Sequence, residues 1–212
     1  MKQTLGIVAS AIGLFALSTV PAHAQNLLTT NPGFEAGPYN FNVQPVGWSG
    51  NNPSGYFGAT DAGQSGKDGL GFGYAGNGGI LATAIANRAA VSSPGTEEFT
   101  LTFQAQLEAG SQPTTFALDF FNASGISLGG NSLNFVPGGD LATGYSVNAI
   151  APIGAATAGA RVTTVSGGQV RFDNFVLTSV NVVVVPEAGT LALLATGAIG
   201  AVGMVVRRKK SA

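Results

Sequence analysis

The chain has no cysteine, and its single histidine, His23, stands close to the N-terminus. No disulfide framework, thiol nucleophile or thiolate-bound metal is therefore available to it. If His23 leaves with a leader segment, the remainder also lacks the commonest general base and the commonest transition-metal ligand. Charge is scarce, at 9% of all residues. Between Gln25 and Val185 four cations (Lys67, Arg88, Arg161, Arg171) stand against nine acids, a net charge of −5. Binding to phosphate backbones needs a basic face, so nucleic acid is excluded as a partner. Glycine is abundant, with 32 residues, but shows no G-x-y period. It reads as turns between short strands. The glycines at 71, 73, 76, 78 and 79 are no phosphate loop, because no helix carrying Lys-Ser/Thr follows them.

What is present is most distinctive at the two ends. Residues 1–24 read as a signal peptide. Lys2 gives the positive start, Leu5 to Val20 an apolar run, and Ala22-His23-Ala24 the A-x-A cleavage pattern. Cleavage is expected before Gln25, with an uncleaved N-terminal helix as the alternative. The tail, residues 185–212, has three parts. Pro186-Glu187-Ala188-Gly189 breaks any element arriving from upstream. Thr190 to Val206 follows, 17 residues without a charge. As a helix it is about 26 Å long, just under the roughly 30 Å of a bilayer's hydrocarbon core. Arg207, Arg208, Lys209 and Lys210 close the tail and hold that end on the cytoplasmic side. A plain single-span anchor is one reading of this pattern.

The tail also resembles the PEP-CTERM sorting signal of bacteria: a Pro-Glu-Pro motif, a short apolar helix and a basic cluster. Pro186 and Glu187 stand in the motif, while Ala188 departs from its second proline. The resemblance implies that an exosortase, a membrane-embedded cysteine transpeptidase, recognises and cleaves the tail. The protein would begin as an inner-membrane-anchored precursor and end at the cell surface or in the extracellular matrix. The exosortase and the membrane are then its partners, and the chain is substrate rather than enzyme.

Between the ends, residues 25–181 read as one domain long enough to bury a core. Its clearest signal is period-two alternation. From Glu98 to Leu107, Phe99, Leu101, Phe103, Ala105 and Leu107 alternate with Thr100, Thr102, Gln104 and Gln106. That predicts a half-buried strand. Thr114 to Phe121 repeats the pattern with Phe116, Leu118 and Phe120. Further strands are expected over 126–136, 144–150, 158–165 and 169–180, and near 71–74. Residues 79–91 are apolar and Ala-rich and suit a strand or a short helix. Asn26 to Gly50 is expected to be an ordered loop region near a first strand. So many short strands between Gly and Pro turns predict an all-β, antiparallel sandwich.

Two motifs bracket this domain. Asn31-Pro32-Gly33-Phe34-Glu35 followed by Gly47-Trp48 resembles the opening of carbohydrate-binding-module-like jelly rolls, and Phe172-Asp173-Asn174-Phe175-Val176-Leu177 resembles their final strand. The resemblance implies a jelly roll in which an acid at each end, here Glu35 and Asp173, helps hold a structural calcium. Carboxylates and turn carbonyls suit that cation. The alternative is that the two acids cap turns or pair with cations.

For function, the leading expectation is a non-enzymatic exported surface or matrix protein. A glycan-binding module is the alternative, with extracellular polysaccharide as partner. Trp48, Tyr56 and Tyr74 are its candidate sugar-stacking residues, unless such aromatics pin loops to the core. A polysaccharide-active enzyme is the third reading. Its carboxylate pairs would be Glu97 with Glu98, or Asp61 with Asp68, against a simpler placement on solvated loops.

Overall fold

The structure is a computed structural model and describes residues 25–36, 44–51, 54–58, 71–139, 141 and 143–182. The leader expected over 1–24, the tail over 185–212, Asp61 and Asp68 lie outside the described residues. Among the described residues no helix is long and apolar enough to cross a membrane.

Among the described residues eleven strands form: β1 (Trp48–Asn51), β2 (Ser54–Gly58), β3 (Gly71–Gly76), β4 (Ile80–Thr83), β5 (Ala89–Ala90), β6 (Glu97–Ala109), β7 (Thr114–Phe121), β8 (Ser127–Phe135), β9 (Gly144–Ile150), β10 (Thr157–Thr164) and β11 (Gln169–Asn181). They build two sheets. One runs β1-β4-β10-β7-β8, with β5 added on β10; the other runs β2-β3-β11-β6-β9. Neighbours are antiparallel in both. The expected all-β sandwich is what the chain adopts. Residues 79–91 resolve the helix-or-strand ambiguity by being both: β4, then a 3-10 turn over Ile85–Asn87, then β5.

Alternation decides which side of each strand is buried. Phe99, Leu101 and Phe103 of β6 face Phe116, Leu118 and Phe120 of β7 across the sandwich, all at most 1% exposed. The rings interlock: Phe103 stacks on Phe116 at 4.3 Å between centroids, and Phe99 meets Phe120 edge-on at 5.6 Å. Each such ring contributes about 1.5–3 kcal/mol through burial.

The final strand departs from simple alternation. Its pairing with β6 shifts between Asp173 and Val176, where Asn174 takes a left-handed conformation, φ 52°. This bulge turns both Phe172 and Phe175 inward although they are three positions apart. The pairing of β11 with β3 ends at Phe172 and Gly73. Beyond that point the opening segment lies along β11. Leu27 N–H donates to Leu177 O at 2.7 Å, and Phe175 N–H to Pro32 O at 3.1 Å. The Asn26 side chain bridges both ways, donating to Phe175 O and accepting from Leu177 N–H. Phe34, at φ 56°, then drops its ring among Trp48, Phe172 and Phe175. Gly73 makes room: a Cβ there would lie 2.1 Å from Phe172 and 2.8 Å from Phe34. This glycine serves close approach inside a strand rather than a turn.

Candidate functional site

The three aromatic candidates separate. Trp48 is 4% exposed and belongs to the core. It packs on Phe34 and Phe175, and its Nε1–H donates to Asn31 O at 3.1 Å. This corrects its assignment as a glycan contact, since both ring faces and the one polar atom are committed inward. Tyr56 lies on β2, opposite Gly73 of β3; only its backbone is described. Tyr74 pairs across from Arg171 and is 6% exposed. Because Gly73 points into the core, its neighbours Phe72 and Tyr74 stand on the outer side of the five-stranded sheet. There Arg171 forms an ion pair with Glu108 and lies 5.3 Å over the Phe72 ring. Burial, and then the nearby Glu108 carboxylate, push the Tyr74 hydroxyl above its ordinary pKa. The phenol stays neutral, and Tyr74 is a buried part of this face rather than a free stacking platform.

The same outer face opens into a groove further along. Alternation in β6 puts Thr102 and Gln104 outside when Phe103 is inside, and alternation in β9 does the same for Ser146 beside Val147. The bulge in β11 brings Asn174 up between them. These residues, with Val176, line an open groove of about 600 Å³ whose side includes Tyr145. Asn174 Nδ2 donates to Gln104 Oε1 at 3.2 Å. The lining carries no charged side chain: amides and hydroxyls, which offer donors and acceptors together, alternate with the apolar surface of Phe103, Tyr145 and Val176. Gln104 and Asn174 were visible in the sequence, as the polar half of an alternation and as part of the closing motif. Neither position announces a site until the bulge places the two side by side.

Glu35 and Asp173 each lie near the start of β3. Glu35 Oε1 accepts from the Gly71 N–H at the start of β3. Asp173, 1% exposed, follows directly after the last β3–β11 pair. Gly33 lies against it, its absent Cβ position being 3.8 Å from Asp173 Oδ1 and 3.2 Å from Asn174 Oδ1. Asp173 Oδ1 also accepts the Asn174 N–H at 2.7 Å. Among the described residues no group of three or more His, Cys, Asp and Glu assembles. The local donors are all oxygens, two carboxylates and one amide carbonyl, and such a set fits a hard cation.

No family model and no curated protein matches the chain. Solved structures do match in fold. The enzymatically active domain of tailspike protein 4 from bacteriophage CBA120 aligns at a TM-score of 0.52 and 14% identity, over 73% of this chain and 21% of that one. The apo form of a cyclase from Fischerella sp. aligns at 0.52 and 16%, over 72% and 95%. An arabinose-bound α-L-arabinofuranosidase aligns at 0.51 and 15%, over 74% and 26%. The chain thus spans about a fifth of the tailspike domain and about a quarter of the arabinofuranosidase. At these identities the likeness establishes the sandwich fold and carries no chemistry.

The acid pair Glu97 and Glu98 is not a catalytic pair. The two begin β6 and point to opposite sides. Glu98 accepts from Asn148 Nδ2 at 2.7 Å. Glu97 is not on a solvated loop either, being 3% exposed. Its carboxylate accepts the N–H groups of Ser92 and Ser93 at 2.7 and 3.0 Å and the Ser179 hydroxyl at 2.7 Å. Burial alone would raise its pKa, but the hydrogen bonds from Ser179, Ser93 and Ser92 together outweigh it and hold the carboxyl below its ordinary range. Glu97 therefore ties the 92–96 turn to the last strand. A depressed folded-state pKa contributes stability above the unfolded value and loses it as pH falls through the folded one. We predict that Glu97→Gln lowers stability by about 2 kcal/mol at pH 7. Thermal melts of the full-length protein should show the gap to wild type closing as pH drops below about 4.3, the ordinary glutamate value. A constant gap would mean that charge plays no part.

Proposed function

We propose that the chain is an exported, non-catalytic surface or matrix protein whose sandwich holds a neutral polysaccharide on the outer face of its five-stranded sheet. The carrying observation is the Asn174–Gln104 amide pair in an uncharged groove of about 600 Å³. A sugar's hydroxyls both donate and accept, so side-chain amides and hydroxyls meet them without desolvating an ion. The ring faces of a sugar find apolar surface on Val176 at the same place. The test is pull-down of the full-length protein on insoluble neutral polysaccharides. Asn174→Ala and Gln104→Ala should each weaken binding about fivefold, the equivalent of one hydrogen bond near 1 kcal/mol. Unchanged capture by both variants would remove the groove from consideration.

Calcium at the edge of this face is part of the same proposal. Glu35, Asp173 and the Asn174 carbonyl would hold it. A bound calcium supplies positive charge that ties several oxygens to one point. Here those oxygens belong to the opening loop and to β11. Chelator should then lower the melting temperature of wild type and leave Asp173→Asn unaffected. Identical wild-type melts with and without chelator would show that the two acids serve the fold without a metal.

The tail carries the localisation. The order of Pro186-Glu187, an uncharged 17-residue run and Arg207 to Lys210 supports a transient anchor processed by an exosortase. Proline disfavours helix in the residue before it, which suits a cleavage site next to Pro186. Mass spectrometry of surface-released protein should find Thr190 to Ala212 missing, and Pro186→Ala with Glu187→Ala should leave the precursor inserted and uncleaved. Released protein that retains those residues would make the tail an ordinary anchor.

A further inference from the structure

The six-stranded sheet presents a groove of its own on its outer face, of about 410 Å³, within the range of small-ligand sites. Its centre is Asp119, whose cross-strand neighbours are both glycine: Gly159 on β10 and Gly130 on β8. Neither tolerates a side chain. A Cβ at Gly130 would run into Leu118 O at 1.8 Å, and one at Gly159 would meet Thr83 Oγ1 at 2.2 Å and Arg88 Cγ at 3.3 Å. Asp119 therefore has no side chain beside it on either flank, and it is itself 8% exposed. Arg161 grips it from one side with two bonds, Nε to Oδ2 at 2.6 Å and Nη2 to Oδ1 at 3.1 Å. Two of the four acceptor positions of the carboxylate remain.

On the other side lies Arg88, its guanidinium carbon 3.4 Å from the centroid of the Phe121 ring. Its Nε is buried and has no hydrogen-bond acceptor among the described residues. Burial lowers its pKa, which the nearby Asp119 partly opposes. A flat cation is thus fixed on an aromatic face with donors unanswered. An unmet buried donor costs free energy that an incoming acceptor recovers.

The charge of the two sheets differs as well. The six strands of this sheet carry only Asp119 and Arg161 as charged residues, and Arg88 adjoins β5, so cations lead two to one. The strands of the other sheet carry four acids, Glu97, Glu98, Glu108 and Asp173, against Arg171 alone. An anion is directed to the first sheet despite the domain's negative net charge.

We propose that this groove binds a hexuronate residue of an acidic polysaccharide, with Arg88 taking its carboxylate and Asp119 accepting from its hydroxyls. The combination selects the ligand. A phosphate or sulfate offers Asp119 no hydroxyl chain to accept from and is repelled by it, and a neutral sugar leaves Arg88 unanswered. A uronate brings one planar anion and several hydroxyl donors on one ring.

The test is titration of the full-length protein with galacturonate, followed by calorimetry or by NMR shifts. Wild type should bind, and binding should weaken as salt is raised. Arg88→Leu should weaken it at least tenfold with only a small fall in melting temperature, from the lost stacking on Phe121. Arg88→Gln provides a second variant with the same expected loss. The methyl ester of galacturonate, which keeps the hydroxyls without the charge, and acetate, which keeps the carboxylate without the hydroxyls, should both bind more weakly. No binding by wild type, equal binding by either variant, or equal binding of ester or acetate would overturn the proposal. A neutral oligosaccharide that occupies the opposite sheet should not displace galacturonate. Displacement would place both ligands in one site and overturn the assignment to this groove, whereas failure of neutral binding alone leaves it standing.

Discussion

The bulge in β11 is the constraint on which most of the molecule depends. A regular strand would send Phe172 and Phe175 to opposite faces. One extra residue, with Asn174 at positive φ, sends both into the sandwich. The two rings then form, with Phe34 and Trp48, an aromatic cluster in which Phe34 and Phe175 each lie within about 6 Å, centroid to centroid, of the other three rings. That cluster anchors the opening segment, which has little regular structure of its own to hold it. The same distortion lifts Asn174 to Gln104 and leaves the flank of β11 free for Asn26 and Leu27 to bond. Core, closure and groove thus share a single backbone irregularity, in keeping with the general placement of bulges beside functional sites.

The two outer faces present opposite solutions to polar chemistry on a sheet. On the five-stranded side the groove is lined by uncharged polar and apolar residues, and its charges are drawn off to Glu108 with Arg171 at one end and Glu98 at the other. On the six-stranded side charge is concentrated at one row, with glycine on either flank of Asp119. A buried or half-buried ion pair such as Asp119 with Arg161 is weak evidence for stability, since desolvation offsets much of the attraction. This pair stands on strands that carry no other charged residue.

Where glutamates occur as neighbours in sequence, a strand separates them. Glu97 and Glu98 lie side by side in the chain, yet one is enclosed by serine donors and the other faces Asn148. Alternation alone requires that split, and the reading of a paired active site failed for that reason. Trp48 failed as a sugar contact for a related one. A single tryptophan at the start of a four-residue strand has no periodicity to say which way it points, and its contacts with Phe34 and the distant Phe175 decide it.

The sandwich was legible because burial on one face of a strand writes itself as a period of two. The alternation in β6 and β7, the limits of β9, and the Gly and Pro turns between strands all follow from local chemistry. The leader, the apolar run and the basic cluster at the chain ends are compositional signals too, and they lie outside the described residues. Pairing order across the sheets was not legible, because it depends on contacts between distant strands. Nor was the role of Gly73, whose missing side chain matters only once Phe34 and Phe172 occupy the space. Residues such as Gln104, Asn174, Asp119 and Arg88 carry no motif that marks them for recognition. The sequence alone determined that the middle of the chain is a half-buried β domain. The tertiary structure decided which polar residues share a groove, because a groove is made by side chains from separate strands and exists only after the sheets have formed.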